Sequence, residues 1–349
     1  MTAQADKPTI DDRLLPALKE VTYPGFDTDI ISMNLVLEAR LEGERALIKT
    51  RPVAADHQTR EELENRIAAA LGRVSGVQEM VLDMPAPQRP ETPAGPQPVE
   101  GVKTIVPVAS GKGGVGKSTV AVNLALGLAG QGLQVGLLDL DLYGPSVPTM
   151  MGLQGVQPTA QGEKLAPIQA HGIKVLSIGF MIGAEQALIW RGPLVMKAVR
   201  QLFHEVAWAP LDVLVLDLPP GTGDVQITMA QEVPVFGAVV VTTPQDVALI
   251  DAIKAVDMFK NTNAPVLGIV ENMSYFVCPD CGSRHEIFGH GSVEPLCKRL
   301  GVDYLGELPL DTQVRLLMDQ GRPLAPDSGP GQAYQELAAK VAAKIKEAL

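Results

Sequence analysis

Cysteine is scarce in this chain: Cys278, Cys281 and Cys297 are the only three among 349 residues. An odd, sparse set excludes a disulfide framework. The thiols are expected to stay reduced, as in a cytoplasmic protein. Long apolar runs are missing too, and none approaches the ~18 residues of a membrane span. The opening residues, MTAQADKPTIDDRLL, lack the basic-then-apolar layout of a secretory signal. Positive charge is short: 29 Lys and Arg stand against 40 Asp and Glu, a net charge of −11. That balance removes any global attraction to nucleic acid. No internal repeat occurs. What remains is an ordinary globular composition, 46% hydrophobic and 20% charged. The length allows two or three domains of about 150 residues each.

Residues 85–101, PAPQRPETPAGPQPVEG, hold six prolines and almost no apolar side chain. They read as a semi-rigid exposed linker between a small unit, residues 1–84, and a large one, residues 102–349. In the small unit Leu14, Leu15, Leu18 and Val21 have helical spacing. ISMNLVLEARLEGERALIKT alternates like two strands joined at Glu42-Gly43. TREELENRIAAALGRV reads as an amphipathic helix with Thr59 and Glu62 in capping-box spacing. VQEMVLDM is a last strand, giving the α+β order helix, strand, strand, helix, strand. The large unit alternates strand and helix. KTIVPVAS, LQVGLLDL, IKVLSIGF, LDVLVLDL, FGAVVVTT and PVLGIVEN are non-alternating apolar runs, which suit strands buried on both faces of a parallel sheet. Helices are expected at 118–130, 193–207, 246–260 and 292–300, and from about 331 to the end.

GKGGVGKS fits the phosphate-loop pattern G-x-x-x-x-G-K-[ST] through Gly111, Gly116, Lys117 and Ser118. It follows an apolar strand and opens a helix, the context that pattern needs. Backbone N–H groups of Gly111, Lys112, Gly113, Gly114, Val115, Gly116, Lys117, Ser118 and Thr119 can close around phosphate oxygens, with the helix dipole in support. Lys117 is expected to reach the β- and γ-phosphates of ATP and Ser118 to ligate Mg²⁺. Lys112 is surplus to such a loop.

K-G-G-x-G-K-[ST] resembles the deviant Walker A motif of the MinD/ParA/nitrogenase-iron-protein class. The resemblance implies that Lys112 crosses a face-to-face homodimer to the partner's nucleotide. In LLDLDLYGPSVPTM it makes Asp141 the residue that orients the attacking water, and Asp139 a support of the Mg²⁺ shell. In VLVLDLPPGTGD it makes Asp217 a carboxylate for Mg²⁺. Asn272, in IVENMS, would hydrogen-bond the adenine edge or serve only as a turn residue.

Cys278 and Cys281 form C-P-D-C-G, spaced to hold one metal. One pair is half a site. A symmetric dimer supplies four thiolates, which suit Zn²⁺ or a [4Fe–4S] cluster equally on ligand count. Cys297 reads as a buried helix cysteine. The deviant Walker A motif, DLDLYGPSVP, WRGP at 190–193, DLPPGTGD and ENMSYFVCPDCG together resemble the Mrp/ApbC-like P-loop ATPases, over roughly residues 101–345. This implies an α/β P-loop NTPase with a mostly parallel sheet flanked by helices. It implies a cytoplasmic, ATP-hydrolysing carrier of a labile [4Fe–4S] cluster, with apo iron–sulfur proteins and cluster-assembly scaffolds as partners, and neither nucleic acid nor membrane. The small unit resembles SufT-like domains. Those usually carry a cysteine near TRPVAADHQT; this chain has none there, so the unit is read as a docking module. The alternatives are a MinD/ParA-like positioning ATPase, which leaves the cysteine pair unexplained, and an ATPase with structural zinc at the dimer interface. The C-terminal AYQELAAKVAAKIKEAL is amphipathic, but its mostly alanine face favours core packing over membrane anchoring.

Overall fold

The structure is a computed structural model that describes residues 9–349 except 25, 27, 54–56, 86–94, 143, 163 and 181–191. The chain divides into two compact units, Met1–Thr92 and Pro93–Leu349.

In the first unit the strands β1 (Thr9–Ile10), β2 (Val36–Glu42), β3 (Arg45–Thr50) and β4 (Glu79–Asp83) form one sheet in the order β1-β2-β3-β4. The β2–β3 pair is antiparallel, with Glu42 opposite Arg45 across the turn. Helices α1 (Leu15–Lys19) and α2 (His57–Leu71) cover it. Leu14, Leu18, Ile48, Leu63, Ile67 and Leu71 fill the core, each apolar side chain worth ~1.5–3 kcal/mol on full burial. Two expectations need correction. The two-residue β1 pairs with β2 and is too short for any periodic signal. Helix α2 begins at His57, so Thr59 lies inside its first turn and is not an N-cap.

The second unit carries β5 (Val102–Ala109), α3 (Lys117–Gly130), β6 (Val135–Asp139), α4 (Val147–Met150), β7 (Thr159–Gln161), β8 (Lys164–Ala166), β9 (Ile168–Ala170) and β10 (Ile173–Ser177). There follow α5 (Gly192–His204), β11 (Leu211–Asp217), α6 (Asp224–Glu232), β12 (Ala238–Thr242), α7 (Asp246–Asn261) and β13 (Val266–Val277). The chain ends with β14 (Arg284–His285), α8 (Val293–Leu300), β15 (Tyr304–Pro309), α9 (Thr312–Asp319) and α10 (Gly329–Ala348). Among the described residues the main sheet runs β14-β13-β12-β5-β11-β6-β10-β9, with β15 also on β13. It is parallel except at β9 and β14. The six apolar runs are its strands β5, β6, β10, β11, β12 and β13. Strands β6 and β12 are buried at every position, as double-sided cover by helices requires. The hairpin β7–β8, strands β14 and β15 and helices α4, α6 and α9 were not expected from the sequence; most are too short to show a period.

Residues 86–94 of the proline-rich stretch lie outside the described residues. Its C-terminal end is not exposed linker throughout: Val99 is buried in the core of the second unit, the Gln97 N–H donates to Glu232 O, and Glu100 pairs with Lys164. Helix α10 buries Tyr334, Leu337, Ala338, Val341, Ala342 and Ile345 against α3 and β15. Its apolar stripe is thereby spent on the core. Among the described residues no helix is long and apolar enough to cross a membrane.

Candidate functional site

Strand β5 lies between β11 and β12, so the loop leaving its C-terminal end sits at the centre of the sheet edge, where such folds take ligands. Gly116 caps α3 with φ +82°, a backbone that L side chains resist. A Cβ there would also stand 2.2 Å from the Asn272 amide nitrogen. A Cβ on Gly111 would meet the Asp251 carbonyl at 2.0 Å, so the loop packs directly on α7. Gly113 and Gly114 are exposed at the tip and Val115 is buried. Ser118 and Thr119 stand in the first turn of α3, and four backbone N–H groups at such a helix start lack intrahelical partners.

Lys117 is buried, its ammonium against the Asp217 carboxylate, 3.1 Å from Ser118 Oγ and 3.9 Å from Asp141 Oδ2. Asp217 and Asp139 end the neighbouring strands β11 and β6 in register. One oxygen of Asp217, Oδ2, is buried without a hydrogen-bond partner. A serine hydroxyl beside a buried carboxylate with an unpartnered oxygen is a hard-oxygen set that fits Mg²⁺. Asp139 is occupied otherwise. It accepts from the Asp141 and Val147 N–H groups and from Ser177 Oγ at 2.9, 3.4 and 2.9 Å. Burial, with the Asp217 charge in addition, pushes the Asp139 carboxyl up to about 8. Burial likewise pushes Asp217 up, against the pull of the Lys117 ammonium. Asp139 therefore holds the loop that carries Asp141. Lys112 is half-buried, and among the described residues its ammonium has no ion-pair partner. Its carbonyl accepts from Ser110 Oγ. The loop after β11 is tied to the glycine loop by Gly221 N–H donating to Ser110 O at 2.8 Å. The buried Gln226 amide donates to Pro219 O and Gly221 O.

Asn272 does not end a strand. It lies within β13, at a break in the pairing with β15 between Glu271 and Tyr275. The next residue, Met273, has φ +57°, which costs a non-glycine residue roughly 1–2 kcal/mol. The Asn272 amide donates to Val115 O at 2.7 Å, and so pins the glycine loop. Beside it opens a cavity of about 460 Å³, bounded by Gly116, Thr119, Asn272, Met273, Phe276 and Ile287 and by a second wall of residues 309–312, 314 and 315 with Tyr334. Asp311 in that second wall caps α9, accepting from Gln313 N–H at 2.6 Å, worth ~1 kcal/mol.

Beyond the bulge β13 continues and pairs with β14, Phe276 opposite His285 and Val277 opposite Arg284. Cys278 and Cys281 sit in the turn, closed by Cys278 N–H donating to Ser283 O and Gly282 N–H donating to Cys278 O, both 2.9 Å. Cys281 is exposed and Cys278 half-buried. Hydrogen bonding from Ser283 holds the Cys281 thiol below the usual range. Among the described residues no third His, Cys, Asp or Glu joins the pair. His290 is engaged elsewhere: its Nδ1 is 2.9 Å from Ser274 Oγ, within a cluster in which Ser274 meets buried Glu271 and Arg284 clamps Glu307 with two bonds. Cys297 is buried on α8, and burial pushes its thiol up to about 11. Residues 190 and 191 of the WRGP segment lie outside the described residues, as does Tyr143 in the loop after β6.

Sequence reasoning missed Ser177, Gln226 and the grouping of Glu271, Ser274 and Glu307 around His290. Nothing local marks them, although Ser177 stands opposite Asp139 as the last residue of β10.

A glycine loop between a central parallel strand and a helix, with a buried lysine and carboxylates on the flanking strand ends, defines an α/β P-loop nucleoside triphosphatase. Residues 101–346 match the family described as "ParA: NUBPL iron-transfer P-loop NTPase", and the chain belongs to it. An iron–sulfur cluster carrier protein of Deinococcus radiodurans is 46% identical over 343 residues, 96% of each chain. A solved nucleotide-binding protein of Archaeoglobus fulgidus, in complex with ADP, is 41% identical with a TM-score of 0.57, over 64% of this chain and 88% of that one. The cell division ATPase MinD of Pyrococcus furiosus, 23% identical with a TM-score of 0.52 over 68% of this chain and 98% of its own, shares the fold.

Proposed function

We propose that this protein is an ATP-hydrolysing iron–sulfur cluster carrier. Two copies hold a labile [4Fe–4S] cluster as cargo between Cys278 and Cys281 of each and deliver it to apo iron–sulfur proteins. The observation that carries this reading is the accessible Cys278–Cys281 turn, which directly follows the strand of the asparagine that pins the glycine loop. Family membership and the Deinococcus radiodurans relative support it. Because one chain supplies only two thiolates, four-coordinate ligation needs a second copy.

ATP lies with its phosphates in the loop 111–119 and its base in the cavity beside Asn272. Lys117 turns from Asp217 to the β- and γ-phosphates, and Asp217 and Ser118 are the residues that would hold Mg²⁺, which would supply charge neutralisation at the phosphates when bound. Asp141, placed by the Asp139 carboxylate, orients a water for in-line attack. A water oxygen–phosphorus bond forms while the bond from the γ-phosphorus to the ADP oxygen breaks. Lys112 of the opposite subunit stabilises the charge that spreads over the transferring group. The first unit serves as a docking module.

Anaerobic reconstitution with iron and sulfide tests the proposal. The expected result is a visible cluster spectrum with four irons and four sulfides per dimer, and transfer to an apo acceptor protein. A dimer that retains zinc and takes up no sulfide would replace it with the structural-zinc reading.

A further inference from the structure

The strand that leads into the cysteine turn is also a wall of the cavity beside Asn272. Phe276 and Ile287 line that cavity and stand on either side of the Cys278–Cys281 turn. Phe276 is the penultimate residue of β13, two residues before Cys278. The hairpin is closed across its width by the Phe276–His285 and Val277–Arg284 pairs and by the 2.9 Å bonds within the turn. A displacement of Phe276 is therefore transmitted to Cys278 as a shift of the hairpin rather than absorbed along a loose loop.

The hairpin has a discrete joint where it meets the sheet. The pairing of β13 with β15 breaks between Glu271 and Tyr275, and Met273 occupies the left-handed region within that break. Each residue of the joint has a separate anchor. Asn272 holds Val115 O of the glycine loop, Met273 lines the cavity, and Ser274 is buried among Glu271, Glu307 and His290. Arg284, opposite Val277 at the turn end of the hairpin, stacks 4.0 Å over the Tyr275 ring and clamps Glu307, which ties the second strand to Tyr275 and β15. Ile287, by contrast, is 57% exposed and Val277 is 48% exposed. Their exposed surfaces leave room for contact with whatever fills the cavity.

We propose that Phe276 and Ile287 are positioning residues that couple the two sites: a nucleotide base in the cavity seats the hairpin, and the seated hairpin fixes the separation and orientation of the Cys278 and Cys281 thiols. The coupling runs through the base, and inorganic phosphates in the loop do not produce it. Linkage makes it reciprocal, so cargo on the thiols tightens nucleotide binding by the factor with which nucleotide tightens cargo. The identity of that cargo rests on the carrier reading above; the coupling itself does not.

The test uses the full chain without metal. Alkylation of Cys278 and Cys281 by a maleimide is timed by peptide mass analysis, with buried Cys297 as the internal reference. Saturating ADP is expected to slow both reactions about fivefold, the low end of ordinary coupling. Inorganic tripolyphosphate is expected to leave them unchanged. Phe276→Ala and Ile287→Ala should each abolish the ADP effect, and Phe276→Leu should restore most of it. Ile287 is exposed, so its variant tests the idea even if Phe276→Ala folds poorly. Equal slowing by ADP and tripolyphosphate would overturn the proposal, because the signal would then travel through Asn272 alone. So would wild-type thiols indifferent to ADP, or an unaltered ADP response in both alanine variants. A chain that holds zinc in place of a cluster would sink the carrier reading and leave this result standing.

Discussion

The two ends of β13 differ in how complete they are. At the glycine loop a buried lysine, two buried carboxylates and an asparagine, contributed by α3, β6, β11 and β13, each have partners within one chain. At the hairpin a few residues further on, two thiols face outward with no third ligand among the described residues. A buried charge must be paired before any ligand arrives, since an unpaired one costs several kcal/mol. Thiols at the surface can wait in water. The contrast teaches which ligand stays and which is handed on: a pre-paired pocket recognises the same small molecule repeatedly, whereas an open half-site can give its contents away.

The largest effect that would break this contrast is all-or-none. Cys278→Ala or Cys281→Ala should abolish cluster retention in reconstituted protein while nucleotide still binds, and Cys297→Ala should retain the full iron and sulfide count. Equal loss in all three variants would remove the hairpin from the reading. Next in size, Lys112→Ala should keep nucleotide binding and lose turnover by about 10³-fold, the lower end of what a trans arginine contributes. Steady-state phosphate release decides it, and wild-type turnover would refute a role in trans. Lys117→Ala should weaken nucleotide binding by about 100-fold or more and also destabilise the fold, because it strands Asp217 in the interior. Calorimetric titration and thermal melts separate the two losses.

A smaller effect sharpens the comparison from the other side. If the metal bridges two half-sites, chelation should weaken self-association by about tenfold or more, ~1.4 kcal/mol, even with ATP present. Sedimentation of reconstituted and chelated protein measures this, and an equally firm dimer in both would mean that packing alone holds it. The smallest concerns Asp139. Its folded pKa of about 8 lies above the ordinary 3.8, so the folded state keeps a proton that the unfolded chain has released. Its contribution to stability is fully present below about 3.8 and is lost as pH rises through about 8. Asp139→Asn should flatten that fall, raising the melting temperature at pH 9 relative to pH 5 by about 2–4 °C per kcal/mol recovered. An unchanged pH dependence in the variant would show that Asp139 stays ionised.

Legibility in the sequence followed locality. The six apolar strands, α3 and the loop 111–118 are written in contiguous residues, because glycine at Gly116 and lysine at Lys117 act where they stand. The C-terminal helix was legible for the same reason: Tyr334, Leu337, Ala338, Val341 and Ala342 fall on one face. What the sequence withheld depends on partners far along the chain. Ser177 matters because β10 lies beside β6, and Glu271 because β15 brings Glu307 to it. Met273 follows an apolar run in the stretch Glu271-Asn272-Met273-Ser274, and nothing in that stretch announces a left-handed backbone. Val99 sits among prolines yet is buried in the core of the second unit, since composition describes a stretch and not each residue in it. The cysteine pair was visible as metal-binding; that the strand running into it also lines the cavity beside Asn272 was not, because a strand with a bulge and a strand with a loop after it share one pattern.

The span of the contacts around β5 bears on the order in which the molecule can be made. Lys117 meets Asp217 across 100 residues, and Asn272 reaches back 157 residues to Val115. Contacts of such sequence separation form late, after the entropy of closing long loops has been met. During synthesis the glycine loop emerges early, but its flanking strand β11, its carboxylate and its pinning amide arrive in turn afterwards. A nascent chain thus cannot sequester nucleotide, and nucleotide affinity reports a finished fold. A chain ended before Val266 would carry the whole loop sequence and no working cradle.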